Sequence, residues 1–224
     1  MKPTDMTIFA VSKLAKIRDS ETARHVERVA LYSRVLARQL SIGPSQVLQC
    51  TREFIRLIYQ TSPLHDIGKT DIPDAILRKP GKLSADEFDV MKTHTSIGAD
   101  TIDAAIREYP DARFLRMARD IAATHHEKWD GSGYPNKLSG TQIPLAGRIV
   151  ALADFYDATT SSRSYKPAFA HAWVARTIID SSGTHFDPDV VQAFIDTEKQ
   201  FIEILGSCGE KLTADTTSFA LKAA

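Results

Sequence analysis

The chain has 224 residues, of which 43% are hydrophobic and 25% are charged. This length and composition are typical of a globular protein with a sizeable core. Its 28 basic residues balance 28 acidic residues. The chain therefore has no net positive charge with which to bind along a long nucleic acid. A small anionic ligand held by a few local cations remains compatible with this balance.

The two cysteines, Cys50 and Cys208, are too few and too isolated for a disulfide framework or a thiolate zinc site. We expect both to pack as small apolar groups in a reducing compartment. The N-terminus lacks the charged-then-apolar pattern of a secretion signal. No apolar run approaches the roughly 18–20 residues of a membrane span. These features predict a cytoplasmic protein that does not enter a membrane.

Hydrophobic periodicity predicts helices along nearly the whole chain. Apolar residues recur every three or four positions over 4–18 and again over 21–41. The buried stripe predicted for the second of these helices consists of Val29, Tyr32, Leu36 and Leu40. No segment shows the alternation expected of a strand, so the economical prediction is an all-α domain.

Proline and capping residues mark several helix boundaries. A third helix is predicted from about 45 towards 62, where Pro63 kinks or ends it. The turn at 72–74 opens a short helix. Ser84 begins a capping-box pattern, which predicts one continuous helix over 85–107 that contains His94.

The second half of the chain continues in the same way. Glycines and prolines over 129–135 predict a loop, not a regular helix. Further helices are predicted over 111–126, from 143 onwards, over 168–181 and over 188–205. We therefore predict a helical lead-in over 1–18, one main helical domain over 19–206 and a loosely ordered tail over 207–224.

Eight side chains able to bind a metal recur in order along or beside these helices. They are Glu21, His25, His65, Asp66, His94, His125, His126 and Asp154. Glu21 and His25 are four residues apart, so they share one helical face. Taken singly, each residue has an ordinary alternative, such as a capping acid or a satisfied core histidine. That five of the seven histidines fall into this set favours a metal site.

All eight candidate ligands offer nitrogen or oxygen atoms. Imidazole combined with carboxylate suits iron, manganese, zinc or nickel, and differs from the thiolate ligands of structural zinc sites. Eight ligands exceed what one ion can use, so we expect two ions. A bridging Asp66 would allow a hydroxide to sit between them, which is a known device for hydrolysing phosphoesters.

Several strings of residues, in this order, resemble the HD-GYP family of metal-dependent phosphodiesterases, the HD-domain subclass that cleaves cyclic di-GMP. The resemblance runs from Arg18 to Phe194. The strings include Glu21-Thr22-Ala23-Arg24-His25, His65-Asp66-Ile67-Gly68-Lys69, Lys79-Pro80-Gly81, His125-His126-Glu127, Asp130-Gly131-Ser132-Gly133-Tyr134-Pro135, Ala153-Asp154-Phe155-Tyr156-Asp157 and Gly183-Thr184-His185-Phe186-Asp187-Pro188. An all-α helical bundle of the HD-GYP type is therefore implied.

The resemblance also implies a metal centre. His65, Asp66, His94, His125, His126 and Asp154 match the family's metal ligands, with Asp66 bridging, and His25 matches a further ligand. Glu21 matches a carboxylate found in members that hold a third metal. Two or three divalent ions are therefore implied, with iron or manganese expected first and nickel or zinc as alternatives. His185 is expected to pack in its own turn and His171 to lie at the surface.

The same resemblance assigns residues to the substrate. Lys69 matches a lysine that contacts a substrate phosphate, and Arg163 and Lys166 match a basic pair that grips the other phosphates. Without the resemblance, that pair has the ordinary interpretation of two solvated cations. The loop Gly133-Tyr134-Pro135 matches a segment beside the active site that has been linked to contacts with GGDEF domains.

The implied function is hydrolysis of cyclic di-GMP to linear pGpG through attack of a metal-bridging hydroxide. Further hydrolysis of pGpG to GMP is left open. Two rival functions remain. One is hydrolysis of another cyclic dinucleotide such as cyclic GMP-AMP, and the other is a non-catalytic sensor or GGDEF-interaction module. The sequence departs from the family at Ser162 and Ser164, where Asp and Pro are common, and at Thr70-Asp71. Only residues 1–18 precede the matching region, as expected either of a stand-alone enzyme or of a piece of a longer protein.

Overall fold

The computed structural model describes residues 23–43, 49–161 and 168–207. The predicted lead-in helix and residues 208–224 of the predicted tail lie outside the described residues, whereas Ser207 ends the last described helix. Outside them too lie six residues singled out from the sequence, namely Glu21, Ser162, Arg163, Ser164, Lys166 and Cys208.

Helices form all the regular structure in the described ranges. The α-helices are α1 (Ala23–Ile42), α2 (Arg52–Thr61), α3 (Asp74–Leu77), α4 (Ala85–Lys92), α5 (His94–Glu108), α6 (Arg113–Thr124), α7 (Leu145–Thr160), α8 (His171–Asp180) and α9 (Pro188–Ser207). Short 3-10 helices span Ser62–Leu64, Ile67–Asp71 and Gly140–Gln142. Across the described ranges the extended backbone pairing amounts to an isolated bridge between Ser182 and Phe186. The all-α prediction is confirmed.

The main core lies where α1, α7 and α9 pack against one another. The stripe predicted on α1 is buried as expected. At the centre, the Tyr32 ring stacks on Phe201 at 4.5 Å and meets Tyr156 edge-on at 5.1 Å. Burial of these apolar side chains is the main favourable contribution to folding. It therefore holds α1 and α7 in contact along the faces that carry His25 and Asp154.

A second group of helices completes the bundle beside this core. Helix α6 packs against α5 on one side and α7 on the other, and α2 packs against α1 and α6. The Ser84 capping box at the start of α4 is confirmed. Cys50 is buried as predicted, and burial raises the pKa of its thiol to about 11. Among the described helices, none is both long and apolar enough to cross a membrane.

The predicted continuous helix over 85–107 is wrong, because α4 and α5 are separate helices that meet at Thr93. At this junction four side chains bond to the carbonyl three residues earlier: Thr93 to Val90 (2.6 Å), His94 to Met91 (2.7 Å), Thr95 to Lys92 (2.9 Å) and Ser96 to Thr93 (2.9 Å). Such local bonds compete with regular helical hydrogen bonds. His94 therefore begins a helix instead of lying inside one.

Two further predictions need correction. The helix predicted from about 45 is not continuous to 62: residues 44–48 lie outside the described residues, 49–51 are not helical, and α2 begins at Arg52, where Thr51 accepts a hydrogen bond from Phe54 N–H and caps the helix. His171, predicted to lie at the surface, has a side chain that is only 9% exposed, and its ring bonds to the Tyr156 hydroxyl at 2.8 Å and to Glu198 at 2.9 Å. His185 packs in its turn as predicted, with its ring stacked on Phe186 at 4.1 Å.

Candidate metal centre

The structure brings together all seven described candidate ligands, in two adjacent groups. The first group is Asp66, His94, His125 and His126, and the second is His25, His65 and Asp154. Within each group, one ligand atom from every side chain lies within 4.8 Å of the others. The remaining candidate, Glu21, lies outside the described residues.

The central pair, His65 and Asp66, lies where α2 gives way to tight 3-10 turns. Helix α2 ends at Thr61, and Pro63 opens the 3-10 helix Ser62–Leu64. His65 caps that turn and Asp66 precedes the next one. Pro63 lacks a backbone N–H and cannot continue the α-helix. The resulting turns direct two successive side chains into the space between α1, α5, α6 and α7.

Two glycines allow the ligand-bearing segments to approach one another closely. A Cβ on Gly68 would lie 2.0 Å from the His94 carbonyl oxygen and 2.5 Å from the Gly98 nitrogen. A Cβ on Gly147 would lie 2.0 Å from Thr124 Oγ1, directly before His125. Both distances are far shorter than van der Waals contact. Glycine at 68 therefore permits the close approach of the Asp66 segment to the helix that begins at His94, and glycine at 147 lets the helix of Asp154 pack against Thr124 beside His125.

Replacing Gly68 by alanine should separate Asp66 from His94. The added methyl group meets backbone atoms of α5, so relief requires movement of the whole segment, with an expected cost of about 3 kcal/mol. We expect lower metal content by elemental analysis and a lower melting temperature. The control is Gly81→Ala, where a Cβ meets nothing within 4 Å and the φ of +119° supplies local backbone strain alone. Equal metal content in the two variants would contradict this role for Gly68.

Backbone carbonyls hold three of the histidine rings with Nε2 towards the centre. The Nδ1 atoms of His65, His94 and His125 bond to the carbonyl oxygens of Ser62 (2.8 Å), Met91 (2.7 Å) and Ile121 (3.0 Å), respectively. A carbonyl can only accept, so Nδ1 carries the proton in each ring. In the neutral imidazole, Nε2 then presents its lone pair. This is the arrangement by which proteins prepare histidines to bind metals.

The electrostatics of this group fit a cation. His94 Nε2 and His125 Nε2 face each other at 3.5 Å, although with Nδ1 protonated neither neutral ring has a proton to share. Two nitrogens that bind one ion at ~2.1 Å lie roughly 3.0–3.5 Å apart. Burial lowers the pKa of His94 to about 4, against the opposing effect of Asp66, and burial likewise lowers that of His126. Both rings are therefore neutral at neutral pH, which is the form that binds metals.

The carboxylate of Asp66 lies between the two groups. Its Oδ1 atom is 3.3 Å from His94 Nε2 and 3.6 Å from His125 Nε2. Its Oδ2 atom is 3.1 Å from His65 Nε2 and 2.9 Å from Lys69 Nζ. One oxygen therefore faces the first group, while the other faces the second group and Lys69.

A buried ion pair behind the second group was not assigned a role from the sequence. Asp157 is fully buried and accepts hydrogen bonds from His25 Nδ1 at 2.7 Å and from Arg28 Nε at 2.5 Å. Arg28 also bonds to Ser161 Oγ at 2.6 Å. The pair holds His25 so that its Nε2 lies 3.4 Å from Asp154 Oδ1. The available sequence signal was spacing, because Arg28 and Asp157 each lie one helical turn after a candidate ligand.

The loop Gly133-Tyr134-Pro135 lies against the first group. The Tyr134 ring stacks on the His126 ring at 4.8 Å and 25°, and the peptide bond before Pro135 is cis. A Cβ on Gly133 would lie 2.5 Å from Glu127 Cα, so glycine is required there. This agrees with the predicted position of the loop beside the site.

Glu127 forms hydrogen bonds to the backbone that follows this loop, and it too was not assigned a role from the sequence. Its buried carboxylate accepts hydrogen bonds from the backbone N–H groups of Asn136 at 2.7 Å and Leu138 at 3.1 Å. Burial raises the pKa of Glu127, while these backbone bonds oppose the rise. The only hint in the sequence was its position directly after His125 and His126.

Comparison with known proteins agrees with this geometry. Residues 10–190 match the family model described as HD domain. That match covers most of the 224 residues, and the chain belongs to the HD domain family, whose members use divalent metal ions. The two ligand groups form a His/Asp cluster that could hold such ions.

Two curated relatives come from Vibrio cholerae. The chain is 49% identical over 200 residues to a "Cyclic di-GMP phosphodiesterase", covering 89% of this chain and 41% of the relative. It is 40% identical over 200 residues to a "3'3'-cGAMP-specific phosphodiesterase 2", covering 89% of this chain and 36% of the relative. The chain thus spans less than half the length of these relatives. The sequence-based assignment to the HD-GYP type is confirmed at the level of family.

A solved structure shows the same fold. A cyclic GMP-AMP-specific phosphodiesterase of V. cholerae matches with a TM-score of 0.63 and 18% identity, covering 92% of this chain and 51% of that chain. At this identity the likeness concerns the fold alone, and it supports the helical HD-domain arrangement.

Proposed function

We propose that this domain is a metal-dependent phosphodiesterase that hydrolyses cyclic di-GMP to linear pGpG. Whether it also hydrolyses pGpG to GMP is left open. The observation that carries the proposal is the position of Asp66, whose two oxygens face two separate groups of histidine and aspartate ligands. Two metals at bridging distance suit in-line displacement at a phosphodiester. The substrate is suggested by the name of the relative that is 49% identical.

The donor set supports two ions of the iron or manganese type, with nickel or zinc as alternatives, since every ligand is nitrogen or oxygen. Glu21 would add a carboxylate for a third ion. When bound, the ions supply an activated hydroxide and neutralise charge on the phosphate oxygens. The protein's part is to hold neutral imidazoles and Asp66 in fixed orientations around that chemistry.

Three basic residues, Lys69, Arg163 and Lys166, would bind the phosphate groups of the substrate. Lys69 Nζ lies 2.9 Å from Asp66 Oδ2, with its side chain partly exposed, so a phosphate at the metals would meet this ammonium group. Arg163 and Lys166 lie in the segment that follows α7, the helix of Asp154. A guanidinium offers phosphate two parallel hydrogen bonds and an ammonium offers a point charge.

The direct test is anaerobic purification, metal counting and chromatography of the products formed from cyclic di-GMP. We expect two or three ions per chain and the appearance of pGpG or GMP. A metal-loaded protein that leaves cyclic di-GMP intact would overturn the proposed substrate. Running cyclic GMP-AMP in parallel identifies the second candidate, which is favoured by the relative named as specific for that dinucleotide.

A non-catalytic sensor is the third candidate. Such a protein is expected to have lost metal ligands, whereas the seven described candidate ligands are all in place. Binding of cyclic dinucleotide without turnover by the metal-loaded protein would support the sensor. Contact between the Gly133-Tyr134-Pro135 loop and a GGDEF-domain protein stays a prediction.

Replacing Arg163 by alanine should mainly weaken substrate binding. Loss of a two-pronged phosphate contact is expected to raise KM about tenfold, which is ~1.4 kcal/mol, with kcat nearly unchanged. Steady-state kinetics with cyclic di-GMP measures both constants. The control is Arg176→Ala, which removes an exposed arginine paired with Asp180 on α8. An unchanged KM would mean that Ser162 and Ser164 have moved Arg163 out of the site.

A further inference from the structure

Helix α4 presents an aromatic side chain that the core does not use. The helix (Ala85–Lys92) has no buried residue, and its Phe88 is 46% exposed. Single exposed apolar residues are common on protein surfaces and need no explanation by themselves. Phe88 is notable because it lies close to the candidate metal centre.

Phe88 is linked to the metal centre through one intervening ring. Its ring centroid lies 6.1 Å from that of Tyr134, edge to face at 83°. Tyr134 in turn stacks on His126, a member of the first ligand group, at 4.8 Å. The order of rings from the candidate ligands outward is therefore His126, Tyr134, Phe88. By contrast Trp173, which is 50% exposed, stacks on Phe169 at 4.5 Å.

Two lysines flank this row of rings, and each is paired with a carboxylate. Lys92 Nζ lies 5.4 Å from the centre of the Phe88 ring and 2.6 Å from Asp89 Oδ1, and Lys69 Nζ lies at the inner end, 2.9 Å from Asp66 Oδ2. An anionic ligand carrying a flat aromatic group suits such a surface, since the phosphate meets the cations and the metals while the flat group meets the rings. A nucleotide has both parts, joined by a ribose.

We propose that Phe88, with Tyr134 beside it, forms a stacking surface for a purine base of the cyclic dinucleotide while the attached phosphodiester lies at the metal centre. This inference rests on the proposed function and adds to it a residue that binds the base. Base stacking on an aromatic side chain strengthens binding roughly 5- to 150-fold and tolerates different bases. Phe88 thus contributes to affinity for the dinucleotide and leaves the chemistry at phosphorus unchanged.

Four variants of the 224-residue chain test the proposal, namely Phe88→Ala, Phe88→Leu, Phe88→Trp and Trp173→Ala. Each is assayed for kcat and KM with cyclic di-GMP and for metal content. Affinity is measured by calorimetric titration with the bis-phosphorothioate analogue of cyclic di-GMP. Leucine keeps an apolar side chain but removes the aromatic face, whereas tryptophan keeps that face. Trp173→Ala removes a comparably exposed aromatic ring from another helix.

If Phe88 stacks on the base, both Phe88→Ala and Phe88→Leu should raise the KM for cyclic di-GMP and the Kd of the analogue about tenfold. The kcat of both variants should stay within about twofold of wild type, and their metal content should be unchanged. The variants Phe88→Trp and Trp173→Ala should behave as wild type. The proposal is overturned if leucine retains full affinity, or if kcat and metal content fall in place of affinity. If wild type neither binds the analogue nor cleaves the dinucleotide, the proposed function itself fails. Unchanged affinity in Phe88→Ala with active wild type rejects the stacking surface alone.

Discussion

Replacing Asp66 by alanine is expected to abolish hydrolysis of cyclic di-GMP, lowering kcat by at least about 10³-fold. The carboxylate lies between the two ligand groups, with oxygens 3.3 Å from His94 Nε2 and 3.1 Å from His65 Nε2. In the proposed mechanism its loss would remove an anionic ligand shared by two ions, and metal ions supply several kcal/mol of transition-state stabilisation. Each 1.36 kcal/mol corresponds to about tenfold in rate. Product chromatography and elemental analysis measure the rate and the metal content.

The matched control is Asp71→Ala, five residues further along the chain. Asp71 is exposed at the end of the 3-10 helix that Asp66 precedes, and it accepts a hydrogen bond from Thr70 Oγ1 at 3.3 Å. This variant should keep wild-type turnover, and both variants should keep a helical circular dichroism spectrum. Full metal content and near-normal hydrolysis in Asp66→Ala would rule out the shared role of Asp66 in a two-metal site.

Removal of the Asp157 carboxylate is expected to produce the largest loss of stability. Asp157→Ala leaves the Arg28 guanidinium, which is 1% exposed, without the carboxylate that it bonds to at 2.5 and 2.9 Å. Breaking a buried pair in this way costs about 3–5 kcal/mol, or on the order of 10 °C in melting temperature for a chain of this size. Urea unfolding measures the free energy. His25 also loses the partner of its Nδ1 atom, so metal affinity should fall roughly 10- to 100-fold.

Two controls separate the buried pair from general effects. Asp180→Ala removes a carboxylate from an exposed pair with Arg176 and should cost less than about 1 kcal/mol. Replacing both members together, as Arg28→Met with Asp157→Leu, should cost less than the two single changes added, since no buried charge is then left alone. A small effect of Asp157→Ala alone would contradict the buried pair.

The same carboxylate gives the stability a defined dependence on pH. Burial by itself would raise the pKa of Asp157, but the hydrogen bond and charge of His25, followed by those of Arg28, outweigh burial and lower the pKa below its ordinary value of 3.8. Because the folded-state pKa lies below the unfolded one, this stabilisation is complete above about pH 5 and is lost as the pH falls through the unfolded and then the folded value. The unfolding free energy of Asp157→Ala should therefore depend less steeply on pH below about 4 than that of wild type.

Local patterns in the sequence determined the class of fold and the identity of the candidate ligands. The stripe of Val29, Tyr32, Leu36 and Leu40 predicted α1, and the Ser84 capping box predicted where α4 begins. These features depend on residues within a few positions of each other, so their signal is present in any short window. The one helix predicted over 85–107 was wrong because side-chain bonds at Thr93 override its periodicity.

Only the tertiary structure decided how the ligands are grouped and oriented. His25 and Asp157 are separated by 132 positions, and His94 and His125 by 31, yet each pair is in contact. Their meeting depends on the packing of α1, α5, α6 and α7 and on the space left by Gly68 and Gly147. Residue types and helical spacing named the candidates, whereas burial of the shared core brought distant helices together and so formed two groups around Asp66.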